Sequence, residues 1–310
     1  PETEQSEPEA DVVEDLSDEI IESPNDPNLY IKRALEYQKR KLFELALKDV
    51  DRALSIDPTV SYFHAVKGEI YFMQGNLRDA RLNLEKAVRY DETNTEALLK
   101  LGEVNFLLRR YDNAIETLDQ ALKVNENLAQ AYFIKGFVFK ELGDTTLSFS
   151  SFQTATEVNP EHYDAYIQLG NLSAQQGNPI AMEYLQTALE IKPNSAEALY
   201  NLGMFYQAGN KFDKAMEVYQ RLIRADGQNF LGYYNTGYIH LTEFLEFEIA
   251  EAYFDSVLQV KPEYVDALYN KGLCAEEMGE TDRAVSIYRS VMEQDPQNDA
   301  AARGLSRLLD

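Results

Sequence analysis

Residues 97–102, Ala-Leu-Leu-Lys-Leu-Gly, form an apolar stretch with helical periodicity that ends in a glycine. Glycine inside a helix costs about 1 kcal/mol relative to alanine, so its presence there needs a packing reason. The glycine recurs 34 residues earlier and 34 residues later. Counting both ways along the chain, the equivalents of Gly102 are Gly68, Gly136, Gly170, Gly203, Gly237 and Gly272, with Ala34 in the first copy. We infer a helix surface at which only a very small side chain fits.

A second small residue follows each of these positions by about twelve residues: Ala46, Ala80, Ala114, Ser148, Ala181, Ala215, Ala250 and Ala284. We expect these residues to be the packing partners of the glycines. Turn signals such as Gly75-Asn76 and Gly143-Asp144 separate the two segments. Prolines such as Pro58 and Pro160 follow the second segment, where they end a helix. The pattern predicts a pair of antiparallel helices, repeated eight times.

This spacing resembles the tetratricopeptide repeat, a helix–turn–helix unit of about 34 residues. Large residues at one position of the second helix extend the match: Val50, Leu84, Leu118, Phe152, Leu185, Tyr219, Phe254 and Tyr288. The resemblance implies an all-α fold, a right-handed α-α superhelix built from antiparallel helix pairs. On this interpretation residues 27–297 are eight tetratricopeptide repeats.

The two ends of the chain differ from the repeats. Residues 298–310 place Ala301, Leu305 and Leu308 on one face, as expected of a helix that caps the last repeat. Residues 1–26 contain eleven Asp or Glu and no Lys or Arg, so we expect this acidic segment to be largely disordered. The four-residue spacing of Val12, Leu16 and Ile20 leaves open a short amphipathic helix that caps the first repeat or occupies a groove.

Two copies depart from the regular spacing. Gly170 to Ala181 is one residue short, and we expect Pro179 to begin the second helix there. The spacing from Gly237 to Ala250 is one residue longer than the regular spacing, and the connection between these residues lacks the usual glycine turn. Either a local kink or a neutral variation in the turns explains both departures.

The net charge of the chain limits the kinds of molecule that it is expected to bind. The chain has 53 acidic and 29 basic residues and a formal net charge of −24. Because nucleic acids are bound mainly through Lys and Arg, a nucleic-acid partner is disfavoured, and a protein or peptide partner, of basic character, is favoured. The alternative is that the charge serves only to keep a long surface soluble. No apolar run approaches the roughly 18 residues of a membrane span.

No catalytic constellation is present in the sequence. The three histidines lie in different repeats, and Cys274 is the only cysteine. There is no HExxH pair, no GxSxG elbow and no phosphate-binding GxxxxGK[ST] loop. We therefore expect no enzyme activity, no catalytic residue, no metal site and no cofactor.

In the family that the sequence resembles, the first helix of each repeat lines a concave groove that binds peptides or partner segments. Projected onto this chain, the resemblance places Phe72, Phe106 and Phe137 in the groove as apolar contacts, with Tyr238 as a further anchor. The dipeptide Tyr-Asn recurs in register in the C-terminal half, as Tyr200-Asn201, Tyr234-Asn235 and Tyr269-Asn270.

The three asparagines predict a ladder of amide groups, since an amide side chain binds both the N–H and the C=O of an extended peptide. The alternative is that each asparagine pairs with the adjacent repeat and that the tyrosines pack between repeats. The predicted function is that of a protein-interaction scaffold or adaptor that binds a peptide in the groove. The alternative function is structural assembly, with self-association through the convex face or the acidic tail.

The chain begins at Pro1 without a methionine. An acidic leader before a solenoid suits a processed or lipid-anchored protein of the bacterial cell envelope. The sequence otherwise leaves the localisation unknown.

Overall fold

The computed structural model describes residues 12–309 of the 310-residue chain. The regular structure of these residues is helical. The helices are α1 (Val12–Glu22), α2 (Pro27–Lys39), α3 (Phe43–Ile56), α4 (Ser61–Met73), α5 (Leu77–Tyr90), α6 (Thr95–Leu107), α7 (Tyr111–Val124), α8 (Ala129–Glu141), α9 (Thr145–Val158), α10 (Tyr163–Gln175), α11 (Ala181–Ile191), α12 (Ala196–Ala208), α13 (Phe212–Ala225), α14 (Phe230–Ile239), α15 (Phe247–Val260), α16 (Val265–Glu277), α17 (Thr281–Gln294) and α18 (Asp299–Leu309).

Helices α2 to α17 form eight successive helix pairs, and the two helices of each pair pack against each other. The predicted all-α solenoid fold of eight repeats is therefore confirmed. The chain divides into two compact units, which are described separately. Unit 1 ends at His162 and unit 2 begins at Tyr163.

The repeated glycines pack against a large residue of the second helix in addition to the small residue that we expected. A Cβ atom on Gly136 would lie 2.5 Å from Cε1 of Phe152, which is fully buried. In the same way, Gly102 lies against Leu118 and Gly272 against Tyr288. The glycine thus makes room for the large residue of the second helix. The small residues lie beside it, as shown by Ser148 Oγ donating to the Gly136 carbonyl at 2.9 Å.

Each of the eight pairs turns through one residue in the left-handed backbone conformation, which supplies the reversal between its two helices. These residues are Lys41, Gly75, Arg109, Gly143, Gly177, Asn210, Leu245 and Gly279.

The residue inserted between Gly237 and Ala250 is absorbed by a π-helical turn over His240–Phe244. In the regular turn after α4, the Asn76 N–H donates to the carbonyl five residues back, that of Tyr71, at 2.9 Å. Here the Glu246 N–H donates to the carbonyl six residues back, that of His240, also at 2.9 Å. The wider turn accommodates the extra residue between the two helices of this pair.

In the copy with the shorter spacing, the second helix begins at a different residue from the one that we expected. Pro179 lies in the turn and does not begin the helix, because α11 starts only at Ala181. Helix α11 has 11 residues, whereas α9 and α13 have 14 each. The deletion is taken up at the start of the second helix, where bonds between residues three apart, from Ala181 to Asn178 and from Met182 to Pro179, replace its first turn.

The disorder expected for the acidic segment is not found at Val12–Glu22, which form α1. Leu16 and Ile20 are buried against the core of the first repeat, while the carboxylates of α1 are exposed. Arg33 of α2 donates through Nη1 to Ser17 Oγ at 2.9 Å and through Nε and Nη2 to Asp49 of α3 at 2.7 and 2.8 Å. Composition alone missed this helix because tertiary packing stabilises it. Residues 1–11 lie outside the described part of the chain.

At the other end, α18 covers the last pair. Ala301 is fully buried, and Gly304 lies against the ring of Tyr288. Arg307 donates two hydrogen bonds to Glu276 of α16, at 2.6 and 2.8 Å, and Tyr288 donates a third at 2.7 Å. The bonded Arg307 guanidinium holds the pKa of the Glu276 carboxyl below its usual range. The Arg307 bonds join α18 to α16, and the packing of Gly304 on Tyr288 joins it to α17.

Candidate peptide-binding face of the first helices

The first helices of successive pairs contact one another within each unit. In unit 1, α2 contacts α4, α4 contacts α6, and α6 contacts α8. In unit 2, α10 contacts α12 in the same way. Their side chains therefore share one surface, which we call the first-helix face of that unit.

In unit 1 this face contains a cavity of about 570 Å³ between α1, α2 and α4. Its apolar lining comes from Val12 and Leu16 of α1, Leu35 of α2 and Met73 of α4. None of the predicted site residues belongs to α1. The four-residue apolar spacing in the acidic segment was the one signal for it. The cavity has the volume and the lining to accept a large apolar side chain.

Gln38 presents an unused hydrogen-bond acceptor at this cavity. Its side chain is 8 % exposed and lines the cavity. Its Nε2 donates to the sulfur of Met73 at 3.1 Å, and its Oε1 has no partner among the described residues. A buried carbonyl oxygen without a hydrogen-bond partner has lost its hydrogen bonds to water without gaining any from the protein, which costs stability. Because less than 1 Å² of this oxygen is accessible, a ligand N–H or O–H bonds to it once the Gln38 side chain turns towards the cavity.

A second cavity, of about 150 Å³, continues the face towards α6 and shares Leu35 and Glu69 with the first. Tyr62 and Glu96 also line it. Burial, followed by the Glu96 and Glu69 carboxylates, raises the pKa of the Tyr62 hydroxyl. Neither carboxylate forms an ion pair with a residue that the structure describes. Lys32, Lys39 and Lys100 also line the two cavities, and two of them are paired, Lys39 with Glu36 and Lys100 with Glu103. The carboxylates without an ion pair at this place are therefore Glu69 and Glu96.

The predicted groove phenylalanines of unit 1 are half-buried. The structure brings Phe106 and Phe137 together, with ring centroids 6.2 Å apart, and Phe137 packs edge-on against the buried Phe152 at 5.2 Å. Phe72 instead lies beneath Lys100, whose Nζ is 4.5 Å from the ring centroid. These contacts account for the partial burial of the three rings.

The predicted asparagine ladder of unit 2 is not formed as three accessible amides. Asn235 is buried, and its Nδ2 donates to the Leu231 carbonyl of its own helix at 2.9 Å. Asn270 is also buried, and its Nδ2 donates to the Tyr234 hydroxyl at 3.2 Å. Only Asn201 is partly exposed. The position two residues before the glycine is thus buried in two of the three copies, where the amide bonds to its own helix at Asn235 and to the preceding pair at Asn270.

The tyrosines of the repeated dipeptide pack between helices, as the alternative interpretation expected. Tyr234 meets Tyr264 edge-on at 5.3 Å, and burial raises the pKa of its hydroxyl to about 12. Tyr269 stacks on Tyr288 at 5.7 Å, and Tyr200 packs against the core of its own repeats. Tyr238 is the exposed member of the predicted set.

Three other findings concern the described residues. No group of His, Cys, Asp and Glu side chains there has an arrangement that would hold a metal ion. None of the helices is both long and apolar enough to cross a bilayer. Cys274 is fully buried, and burial raises the pKa of its thiol to about 12, which leaves it a poor nucleophile.

Comparison with known proteins was made at three levels. Family profiles described as "Tetratricopeptide repeat" match residues 66–132, 129–162, 181–233 and 246–309. A TPR repeat-containing protein of Methanocaldococcus jannaschii is 25 % identical over 269 residues, which are 86 % of this chain and 44 % of that protein. The human protein O-mannosyl-transferase TMTC3 is 24 % identical over 266 residues, which are 84 % of this chain and 29 % of that protein. The chain thus spans less than half the length of these relatives.

Among solved structures, the C-terminal part of a TPR repeat-containing protein from Cytophaga hutchinsonii has a TM-score of 0.68 at 18 % identity. The match covers 77 % of this chain and 98 % of that one. At this level of identity the likeness establishes the fold alone.

Proposed function

The chain belongs to the tetratricopeptide-repeat family, and on that premise we propose that it is a scaffold or adaptor that binds a peptide or partner segment on the first-helix face. Proteins of this family generally mediate protein–protein interactions. The observation that carries the proposal is the apolar cavity of unit 1 with the unpartnered Gln38 carbonyl at its wall.

The chemistry of the cavity indicates the ligand. An aliphatic side chain of the partner fills the space between Leu16, Leu35 and Met73, and a neighbouring N–H of the partner donates to Gln38 Oε1. The next part of the partner meets Glu69 and Glu96, which favour a Lys or Arg. The proposed ligand is therefore a segment with one large apolar residue followed by a basic one.

The other predicted residues divide into those that contact the partner and those that position the helices. Phe72, Phe106 and Phe137 extend the apolar surface of unit 1 along α4, α6 and α8. In unit 2, Asn201 and Tyr238 remain the candidates for direct contact with a partner. Asn235 and Asn270 act by positioning the helices, since their amides are engaged within the protein.

The test is a selection of short random peptides on the wild-type protein, followed by affinity measurements on variants. Met73 and Leu82 are 45 % and 41 % exposed, but Leu82 lies on the second helix α5. We expect Met73→Lys to weaken the selected peptides by about tenfold or more, and Leu82→Lys to leave them unchanged. The double variant Glu69→Gln/Glu96→Gln should lower affinity and reduce its dependence on salt.

Selected peptides that bind Met73→Lys as tightly as the wild type would contradict this site. If the wild type selects no peptide and self-associates instead, the scaffold proposal fails in favour of structural assembly.

A further inference from the structure

The turn between α14 and α15 differs from the seven other turns in the kind of residue at its left-handed position. Four of the eight positions are glycine, and three are the polar residues Lys41, Arg109 and Asn210. The eighth is Leu245, with φ of 56°. Residues with a Cβ rarely adopt this conformation, and Asn and Asp adopt it more readily than apolar residues do. Leu245 is thus an unfavourable choice for the backbone.

Leu245 is also an unfavourable choice for the surface, because 63 % of this apolar residue is exposed to water. Phe244 and Ile249 are exposed on either side of it in the sequence. We call Phe244, Leu245 and Ile249 the 245 patch. The patch lies at the connection between the helices of one pair and is separate from the cavity of unit 1.

The protein holds this turn in place with specific contacts. His240 stacks on Tyr253 with ring centroids 5.6 Å apart and lies 5.8 Å from the ring of Phe244. The His240 Nδ1 is 2.7 Å from Oε2 of Glu246, the residue after Leu245. The π-helical turn and these contacts present the patch on an ordered support, which lowers the entropic cost of binding to it.

The surroundings of the patch are acidic. Glu243, Glu246 and Glu248 are all exposed, and residues 240–249 contain no Lys or Arg. A second copy of this acidic patch would bring like charges together, which disfavours self-association at this place. The charge complementarity points instead to a basic partner.

We propose that the 245 patch is a docking surface for a second protein partner, one that offers an apolar recess bordered by Lys or Arg. Leu245 inserts into the recess, Phe244 and Ile249 cover its edge, and Glu243 and Glu248 pair with the basic border, while Glu246 stays bonded to His240. This interaction surface is additional to the first-helix face, so each can fail without the other.

The first test is the thermal stability of Leu245→Asn. Asparagine tolerates the left-handed backbone and removes exposed apolar surface, so we expect the melting temperature to rise by about 2 °C. Leu142 is a matched control, because it is 50 % exposed but has a right-handed backbone. Leu142→Asn should produce no rise. A lower melting temperature for Leu245→Asn than for Leu142→Asn would overturn the proposal, since Leu245 would then serve the fold.

The second test uses a display library of a small three-helix scaffold with randomised surface residues, selected on the wild-type protein without counter-selection. We expect Leu245→Asn to lower the affinity of many selected clones by about tenfold or more. We expect Leu142→Asn to affect fewer of them. The clones sensitive to Leu245 should be rich in Lys and Arg and should lose affinity for Glu243→Gln/Glu248→Gln.

Clones that respond equally to the two leucine variants would overturn the proposal, as would sensitive clones without basic residues. Analytical ultracentrifugation of the wild-type protein measures whether it forms a dimer. A dimer that Leu245→Asn dissociates would show that a second copy occupies the patch, and would overturn the basic partner.

Discussion

Gly136 shows at the scale of one residue how the repeats achieve their close packing. The glycine spacing was visible in the sequence, and it correctly predicted a place where a helix tolerates almost no side chain. The partner was not visible, because the ring that fills the space belongs to Phe152, sixteen residues later. A buried aromatic ring has little freedom to move aside, so the glycine is a steric requirement.

We predict that Gly136→Ala destabilises the protein by about 1–3 kcal/mol, because overpacking outweighs the better helix propensity of alanine. Urea unfolding followed by circular dichroism measures the difference. Gly209→Ala is the control, since the nearest atom to its Cβ would be 3.5 Å away and its backbone is not left-handed. Equal stability of the two variants would contradict the packing explanation.

Helix α1 illustrates what can be read at the scale of an element. The spacing of Val12, Leu16 and Ile20 indicated an amphipathic helix, while the composition of the segment indicated disorder. The structure favours the first interpretation because α2 and α3 supply an apolar surface and the Arg33–Asp49 pair, which also binds Ser17. A short helix of this kind depends on its tertiary contacts.

We expect Leu16→Ala/Ile20→Ala to destabilise unit 1 by about 2–5 kcal/mol and to detach α1. Hydrogen exchange of the α1 amides should increase together with that of α2. Ile21→Ala is the matched control, because Ile21 is 76 % exposed, and it should change stability by less than about 0.5 kcal/mol. Unchanged exchange of α1 in the double variant would show that other contacts hold this helix.

Charge acts at the scale of the whole molecule. The net charge of −24 is distributed along the chain, and only some carboxylates have basic partners. Equivalent pairs recur between successive repeats, with Lys67 and Asp51, and likewise Lys135 and Asp119, 2.5 Å apart. These pairs are partly exposed and contribute little individually. Repulsion among the remaining carboxylates therefore outweighs them.

We predict that the melting temperature rises between about 0.05 and 0.5 M NaCl, because salt screens repulsion between exposed charges. Differential scanning calorimetry at neutral pH measures this. The variant Asp15→Asn/Glu126→Gln/Glu248→Gln neutralises three exposed carboxylates and should show a smaller rise. A melting temperature that falls with salt would mean that the ion pairs dominate.

The sequence by itself determined the repeat length, the number of helix pairs, the capping helix after the last pair and the place where one connection is a residue longer. It could do so because glycine spacing, turn residues and apolar periodicity are local properties of a helix and its ends. The resemblance to the repeat family placed Phe106 and Phe137 on one face, and the structure brings their rings together.

Only the tertiary structure decided which side chains are accessible. Asn235 and Asn270 have the same sequence context as the more exposed Asn201, yet neighbouring groups bury their amides. The cavity that carries the proposed function exists because α1 packs beside α2 and α4. Periodicity reports which face of a helix a residue occupies. Accessibility depends on what packs against that face, and those atoms lie elsewhere in the chain.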